Sequence, residues 1–330
     1  MFVLPVYIGL AQNQSKMTEN KETNVNPLLC DPVQGTCEIP GTGTAATSAA
    51  HNTGGSITAK PIQIVYFTDP ICSSCWGIEP QLRRLKLEYD AFFDIEYRMG
   101  GLLPSWDIYN SGGISKPSDV AHHWDEVSAY YEMPIDGDVW LEDPLPSSYP
   151  PSVAFKAAQM QSNEKALLFM RRIREMVFLE KKNITRWEHL SAAATECGLD
   201  TAQLHADYKG RAEQLFNDDL ALGRALGVRG FPTLFFTDST GNRLVMYGVK
   251  PYEAFVETLL KLKPDAQKKV YDNSWQHLFT HFSTLCTKEF ALLSGQHMKA
   301  AEAQLKQLSG EGKLHCTLTK NGSVWKARRP

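Results

Sequence analysis

Apolar and polar positions change period several times along the chain, and each change marks an element. Residues 62–67, "IQIVYF", are β-branched and aromatic and predict a buried strand. From Ser73 onward Trp76, Ile78, Leu82, Leu85 and Tyr89 recur at helical spacing, predicting one helix to about Asp90. "FFDIEYRMG" predicts a second strand, ended by Gly100 and Gly101. Residues 103–225 are mostly helical in pattern: "PPSVAFKAAQMQ", "EKALLFMRRIREMVFLE", "RWEHLSAAATECG" and "TAQLHADYKGRAEQLFNDDLALGRALG" are separated by Pro, Asn or Gly. Thr185, within the sequon-like Asn183-Ile184-Thr185, reads as a helix cap. "GVRGFPTLFFTDSTGNRLVMYG" then predicts loop, strand, turn and strand, and "KPYEAFVETLLKL" a helix from near Pro251.

The order β-α-β, helical stretch, β-β-α is that of an α/β thioredoxin-like fold with a large helical insertion. The two-part core occupies residues 61–102 and 226–263, and the insertion residues 103–225. After the break at "PDAQ", residues 264–330 form a separate module. Its helix "SWQHLFTHFSTLCTKEFALLS", second helix "GQHMKAAEAQLKQLSGEG" and Asn-Gly hairpin "KLHCTLTKNGSVWKA" have a winged-helix-like outline. Residues 1–60 are a leader, rich in Gly, Thr, Ala and Asn from residue 18, with the flexible composition of a linker.

Composition narrows the setting. The chain has 330 residues, a formal charge of −3 and the apolar share of a globular protein, so nothing draws it generally to nucleic acid or anionic membrane. No apolar run approaches the roughly 18–20 residues needed to span a bilayer. The opening "MFVLPVYIGLAQ" has no basic residue before its apolar stretch and is interrupted by Pro5, unlike a secretory signal. Met17 is the expected start of translation. The seven cysteines (30, 37, 72, 75, 197, 286 and 316) are odd in number and widely spread, unlike a secreted disulfide framework. A reducing, cytoplasmic location is expected.

Cys72 and Cys75 in "FTDPICSSCWGIEP" carry the candidate chemistry. A CxxC at a helix start places the first sulfur near unsatisfied N–H groups and the positive end of the helix dipole, which favours thiolate. Cys72 is the expected nucleophile toward a disulfide, and Cys75 the thiol that resolves the mixed disulfide. Trp76 would shield the pair from water. Asp69 and Glu79 are candidate proton relays, although a loop cap and an exposed helix residue are the plainer assignments. In "GVRGFPTLFF", Pro232 precedes the third core strand, where this fold carries a cis-proline packed against the dithiol. Phe231 would then flank the sulfurs, and the adjoining backbone could pair with an incoming chain.

Cys30 and Cys37 are six residues apart, outside the usual two-to-four spacing of a zinc pair. Three assignments stand: an accessory dithiol closing a disulfide across "DPVQG" and exchanging with Cys72, a mixed metal site with His51, or two inert thiols. Cys197, Cys286 and Cys316 fall in patterned segments and read as core residues. No cofactor is expected. From Ser294 to Pro330 seven Lys/Arg face two Glu, but "QHMKAAEAQLKQL" lacks the residues that read bases, so protein contact is preferred over nucleic acid.

With CxxC, helical insertion and Gly-Phe-Pro-Thr in place, the chain resembles the DsbA-like, FrnE-like branch of the thioredoxin superfamily. It is similar still more closely to the SpxH-like (YjbH) adaptors, which present the transcription factor Spx to the ClpXP protease. The matching stretches are "DPICSSCWGIEPQLRRL", "DGDVWLEDPLPSSYPPSVAFKAAQMQ", "FLEKKNIT" and "KAAEAQLKQLSGEGKLHCTLTKNGSVWK". The first resemblance implies a thiol–disulfide oxidoreductase or isomerase acting on protein thiols or disulfides through Cys72, Cys75 and Pro232. The second implies an adaptor with Spx and ClpXP as partners. In the leader the chain departs from the adaptors, with a Cys-x6-Cys pair in place of a His-rich zinc-binding start. The oxidoreductase is the leading expectation and the adaptor the alternative.

Overall fold

A computed structural model describes residues 60–108 and 115–328, together with the backbone of Cys30–Asp31 and Thr36–Glu38. Met17, His51 and most of the leader lie outside the described residues. The leader contributes β1 (Cys30–Asp31) and β2 (Thr36–Glu38), an antiparallel pair. The core begins with β3 (Ile62–Thr68), α1 (Ser73–Gly77), α2 (Glu79–Tyr89) and β4 (Phe93–Met99). The insertion holds α3 (Ser118–Tyr131), α4 (Val139–Glu142), α5 (Tyr149–Gln161), α6 (Asn163–Leu179), α7 (Trp187–Glu196), α8 (Thr201–Tyr208) and α9 (Arg211–Ala225). The core resumes with β5 (Gly230–Phe231), β6 (Thr233–Asp238), β7 (Arg243–Tyr247) and α10 (Tyr252–Leu262). Last come α11 (Trp275–His281), β8 (Leu285–Cys286), α12 (Thr287–Ser294), α13 (Met298–Gly310), β9 (Leu314–Thr319) and β10 (Gly322–Ala327).

The central sheet runs β4-β3-β6-β7. β3 and β4 are parallel, Ile64 opposite Ile95, so the chain must cross over between them, and α1–α2 makes that crossing. β6 pairs antiparallel with β3 and β7, which the short turn after Asp238 allows. This is the thioredoxin-like core with a helical insertion. Its apolar interior is continuous from Ile62, Ile64 and Phe236 of the sheet to Phe155, Phe169 and Phe178 of the insertion.

The single helix expected from Ser73 to Asp90 is two helices. Pro80 has no N–H to donate, and its ring would collide with the carbonyl of Trp76 four residues earlier. The chain therefore breaks at Ile78, whose own N–H bonds to the Ser74 carbonyl at 3.2 Å, and restarts with Pro80 in the first turn of α2. Thr185 does not cap α7. Arg186 holds the N-cap position, and the Thr185 hydroxyl bonds to Asn183 at 2.6 Å. Asn183 is itself buried, its amide donating to the Pro144 carbonyl at 3.1 Å. The helix expected over residues 274–294 is also interrupted. β8 separates α11 from α12 and pairs with β10, giving the last module a three-stranded sheet, β8-β10-β9. Leu285, Phe290, Leu305, Leu314 and Trp325 form its interior, and Leu87 of α2 joins them. Cys286 is buried, whereas Cys197 and Cys316 are only half-buried, at the edges of the core.

Candidate functional site

Cys72 is the N-cap of α1, with φ −77° and ψ 106°, and its sulfur accepts the Cys75 backbone N–H at 3.1 Å. Three-residue spacing at a helix start brings the sulfurs of both residues to one end of the helix. Both are free thiols, and both are fully buried. Closure changes the electrostatics expected of the pair. Burial, followed by the hydrogen bond with Cys75, pushes the Cys72 thiol well up rather than down. At Cys75 burial also resists the thiolate, but the Cys72 hydrogen bond, the Arg174 charge and bonds to Thr68 and Tyr66 outweigh it and bring that thiol down. A five-residue helix supplies too little field to offset the loss of water around Cys72.

Asp69 is neither exposed nor a helix cap. Its carboxyl is buried, accepting from the Ile71 N–H at 3.1 Å, the Leu102 N–H at 2.8 Å and the Ser148 hydroxyl at 2.8 Å. Burial raises its pKa to about 6, against the pull of those three donors. A carboxyl in that range next to a thiol can hold or release a proton near neutral pH. Its charge also opposes thiolate at Cys72.

Glu79, at the start of α2, is ion-paired with Arg174 at 2.6 Å. Arg174 is nearly fully buried and bonds on its other nitrogen to the Thr68 hydroxyl at 2.6 Å and the Asp69 carbonyl at 3.3 Å. Its Nε has no partner among the described residues. Arg174 thus stands between Glu79 and the dithiol, so that Glu79 neutralises the cation that favours the Cys75 thiolate. Sequence reasoning did not single out Arg174, Thr68, Tyr66 or Ser148. Arg171 and Arg174 did carry a signal, a charged pair three apart among Met170, Ile173 and Val177 on the apolar side of α6.

Trp76 points away from solvent into the insertion. Its indole N–H donates to the Pro134 carbonyl at 3.1 Å, its ring stacks on Phe178, and the Arg171 guanidinium lies 4.3 Å above it. Through these contacts it ties the dithiol helix to α6. The Phe231–Pro232 peptide is cis, and the Pro232 carbonyl accepts the Gly248 N–H at 2.9 Å. The Phe231 ring is buried over Gly100, where a Cβ would come within 1.8 Å of it. Only glycine fits under that ring. Cys30 and Cys37 are described by backbone alone, opposite one another in the β1–β2 pair. His51 lies outside the described residues, and those residues hold no cluster suited to a metal. No described helix is long and apolar enough to cross a membrane.

A profile of the Thioredoxin family matches residues 66–257, more than half of the chain. The ClpXP adapter protein SpxH of Halalkalibacterium halodurans is 35% identical over 276 residues, covering 81% of this chain and 89% of the relative. The chain belongs to the thioredoxin family, in its SpxH branch. SpxH of Bacillus subtilis is 29% identical over 273 residues, covering 81% of this chain and 90% of that protein. Among solved structures, a candidate protein disulfide isomerase from Nitrosomonas europaea superposes with a TM-score of 0.52 at 23% identity, covering 62% of this chain and 96% of that one. That likeness is one of fold, a thioredoxin-like core carrying helices.

Proposed function

We propose that this protein is a cytoplasmic adaptor that binds an Spx-type regulator and delivers it to ClpXP. One observation carries this: the 35% identity to an SpxH ClpXP adapter that extends over 81% of the chain, well beyond the dithiol segment. Reconstituted degradation is the test. Spx incubated with ClpX, ClpP and ATP should disappear several-fold faster when the full chain is added. An unchanged half-life, with no binding of Spx to the chain, overturns the adaptor.

A second reading, thiol–disulfide exchange on protein substrates, is favoured by the CxxC at the start of α1 in a fold whose Phe231–Pro232 bond is cis. Cys72 attacks and Cys75 resolves, with Arg174 holding the charge on Cys75. Insulin reduction or oxidative refolding that is lost in Cys72→Ser would support it. Activity indifferent to that substitution removes the dithiol from the mechanism. The two readings coexist where the dithiol state alters client binding.

A further inference from the structure

The short strand β5 at the cis-proline turn is not a free edge. β2 of the leader pairs with it antiparallel, Cys37 opposite Phe231 and Glu38 opposite Gly230, and β1 adds a third strand outside β2. Cα atoms of β2 also come within 8 Å of those of α1, the helix that Cys72 caps. Strand addition beside the dithiol is how an extended peptide client would engage this surface. Here the chain's own leader has taken that place, and Cys72 is fully buried.

The occupant carries cysteines at telling positions. Cys30 and Cys37 are direct cross-strand partners. Opposed residues of an antiparallel pair have Cα atoms about 4.5–5.5 Å apart, inside the span a disulfide bridges. Cys37 sits in the strand next to β5 and α1, Cys30 in the outer one.

We propose that the β1–β2 hairpin is a built-in occupant of the client groove, and that its Cys30–Cys37 disulfide exchanges with Cys72 within the same molecule. Cys72, giving up its proton as it reacts, attacks Cys37 Sγ. The Cys30–Cys37 bond breaks, a Cys37–Cys72 bond forms, and Cys30 leaves as a thiolate. Cys75 then attacks Cys72, forming the Cys72–Cys75 disulfide and releasing Cys37. The two protons given up by the CxxC thiols end on Cys30 and Cys37, so the leader gains the two electrons that the CxxC loses. The disulfide enters the four-cysteine system from a low-molecular-weight disulfide such as oxidised glutathione, which departs as two thiols. Tethering gives the hairpin an effective concentration on the order of millimolar, so a client must outcompete it. Groove occupancy and disulfide position then move together: a site that presents a client has first released its own leader. This goes beyond the adaptor assignment and holds whether the groove presents clients or turns over their disulfides.

Full-length Cys75→Ser, treated with oxidised glutathione, tests the chemistry by peptide mapping. The Cys37–Cys72 linkage should be the main intramolecular product, because the resolving thiol is missing. Cys72 found glutathionylated or free, without that linkage, overturns the proposal. A second full-length variant, Cys37→Pro with Glu38→Pro, removes the N–H groups of both residues that pair with β5, one facing β5 and one β1, without touching the core. In the reduced state Cys72 should be alkylated at least tenfold faster in this variant than in the unaltered chain, with an unchanged thermal melt. Equal rates overturn the occupancy on which the exchange depends.

Discussion

Two carboxylates lie fully buried beside the α1–α2 unit, and their protons behave in opposite ways. Glu289 of α12 accepts two bonds from Arg171, at 2.8 and 3.0 Å, faces Arg83 at 3.2 Å and takes the Cys286 N–H at 2.7 Å. Burial alone would raise its pKa, but the two guanidiniums and these bonds bring it below the usual carboxylate range. Asp69 has three donors, all neutral, and the nearest cation, Arg174, bonds to its carbonyl rather than its carboxylate. Its pKa rises to about 6. Equal burial therefore decides nothing by itself. A carboxylate surrounded by cations is a fastener, here joining α2, α6 and the last module. One given only dipoles is left able to trade its proton.

The sharpest way to break this comparison is Glu289→Ala. It would take the principal counter-charge from Arg83 and Arg171 in the interior, leaving Glu175, 2.6 Å from Arg171, and the looser Glu79, 3.9 Å from Arg83, as compensation. Urea unfolding should show a loss of about 3–5 kcal/mol, the range for breaking a buried ion pair. A loss below about 1 kcal/mol would mean that water reaches the seam and that Glu289 is no fastener. Gly100→Ala should come next, at about 2–3 kcal/mol, because the new methyl meets the Phe231 ring and must displace it. It would disturb the cis-proline turn while leaving the Glu289 seam intact.

Asp69 should show the opposite signature in pH. With its pKa raised in the folded state, the folded chain holds a proton between about pH 4 and 6 that the unfolded chain has already lost. Stability from this group therefore falls as pH rises through that window and stays lower above it. Glu289 has the reverse sign: its contribution is present above the ordinary glutamate pKa and is lost as pH falls toward the lowered one. Subtracting the stability of Asp69→Asn from that of the unaltered chain should isolate a decline of about 2–3 kcal/mol from pH 4 to pH 7. A flat difference would place Asp69 among the fasteners.

The contrast between the two carboxylates was not legible in the sequence, whereas the frame around them was. The strand "IQIVYF", the CxxC beginning a helix and Gly-Phe-Pro-Thr before a strand are local signals, and the β-α-β/β-β-α core follows from their order. Local rules failed where a contact spans many residues. Asp69 reads as a loop cap until Leu102 and Ser148 fold over it, and Glu79 as exposed until Arg174 arrives from 95 positions away. The break at Pro80 was visible in the residue itself, but the helical spacing on both sides masked it. β8 was hidden because two residues cannot show an alternating pattern, and only pairing with β10 defines them. The oxidoreductase expectation ranked first because the dithiol is the one local chemical signal. The likeness to the adapters is spread along the chain, where no single residue announces it.

The smallest predicted effect separates Arg174 from the other buried arginines. Arg171 answers to Glu175 and Glu289, and Arg83 to Glu289 and the Thr284 carbonyl, whereas Arg174 divides its bonds between Glu79, a hydroxyl and a carbonyl, and its charge also reaches Cys75. Arg174→Met keeps much of the side-chain volume and removes the charge. Unit charges several Å apart at an effective dielectric of about 20 interact by on the order of 1–2 kcal/mol. That much stabilisation should be lost by the Cys75 thiolate, raising its pKa. Ultraviolet thiolate absorbance, followed across pH in reduced Cys72→Ser and in Cys72→Ser with Arg174→Met, reads Cys75 once the matching curves with Cys75→Ser added are subtracted to remove the other cysteines. Arg171→Met in the same background is the control: it should lower stability, as Glu289→Ala does, and leave the thiol titration unmoved. If both arginine variants shifted the titration equally, the dithiol site and the Glu289 seam would be one electrostatic cluster, and the division between them would not stand.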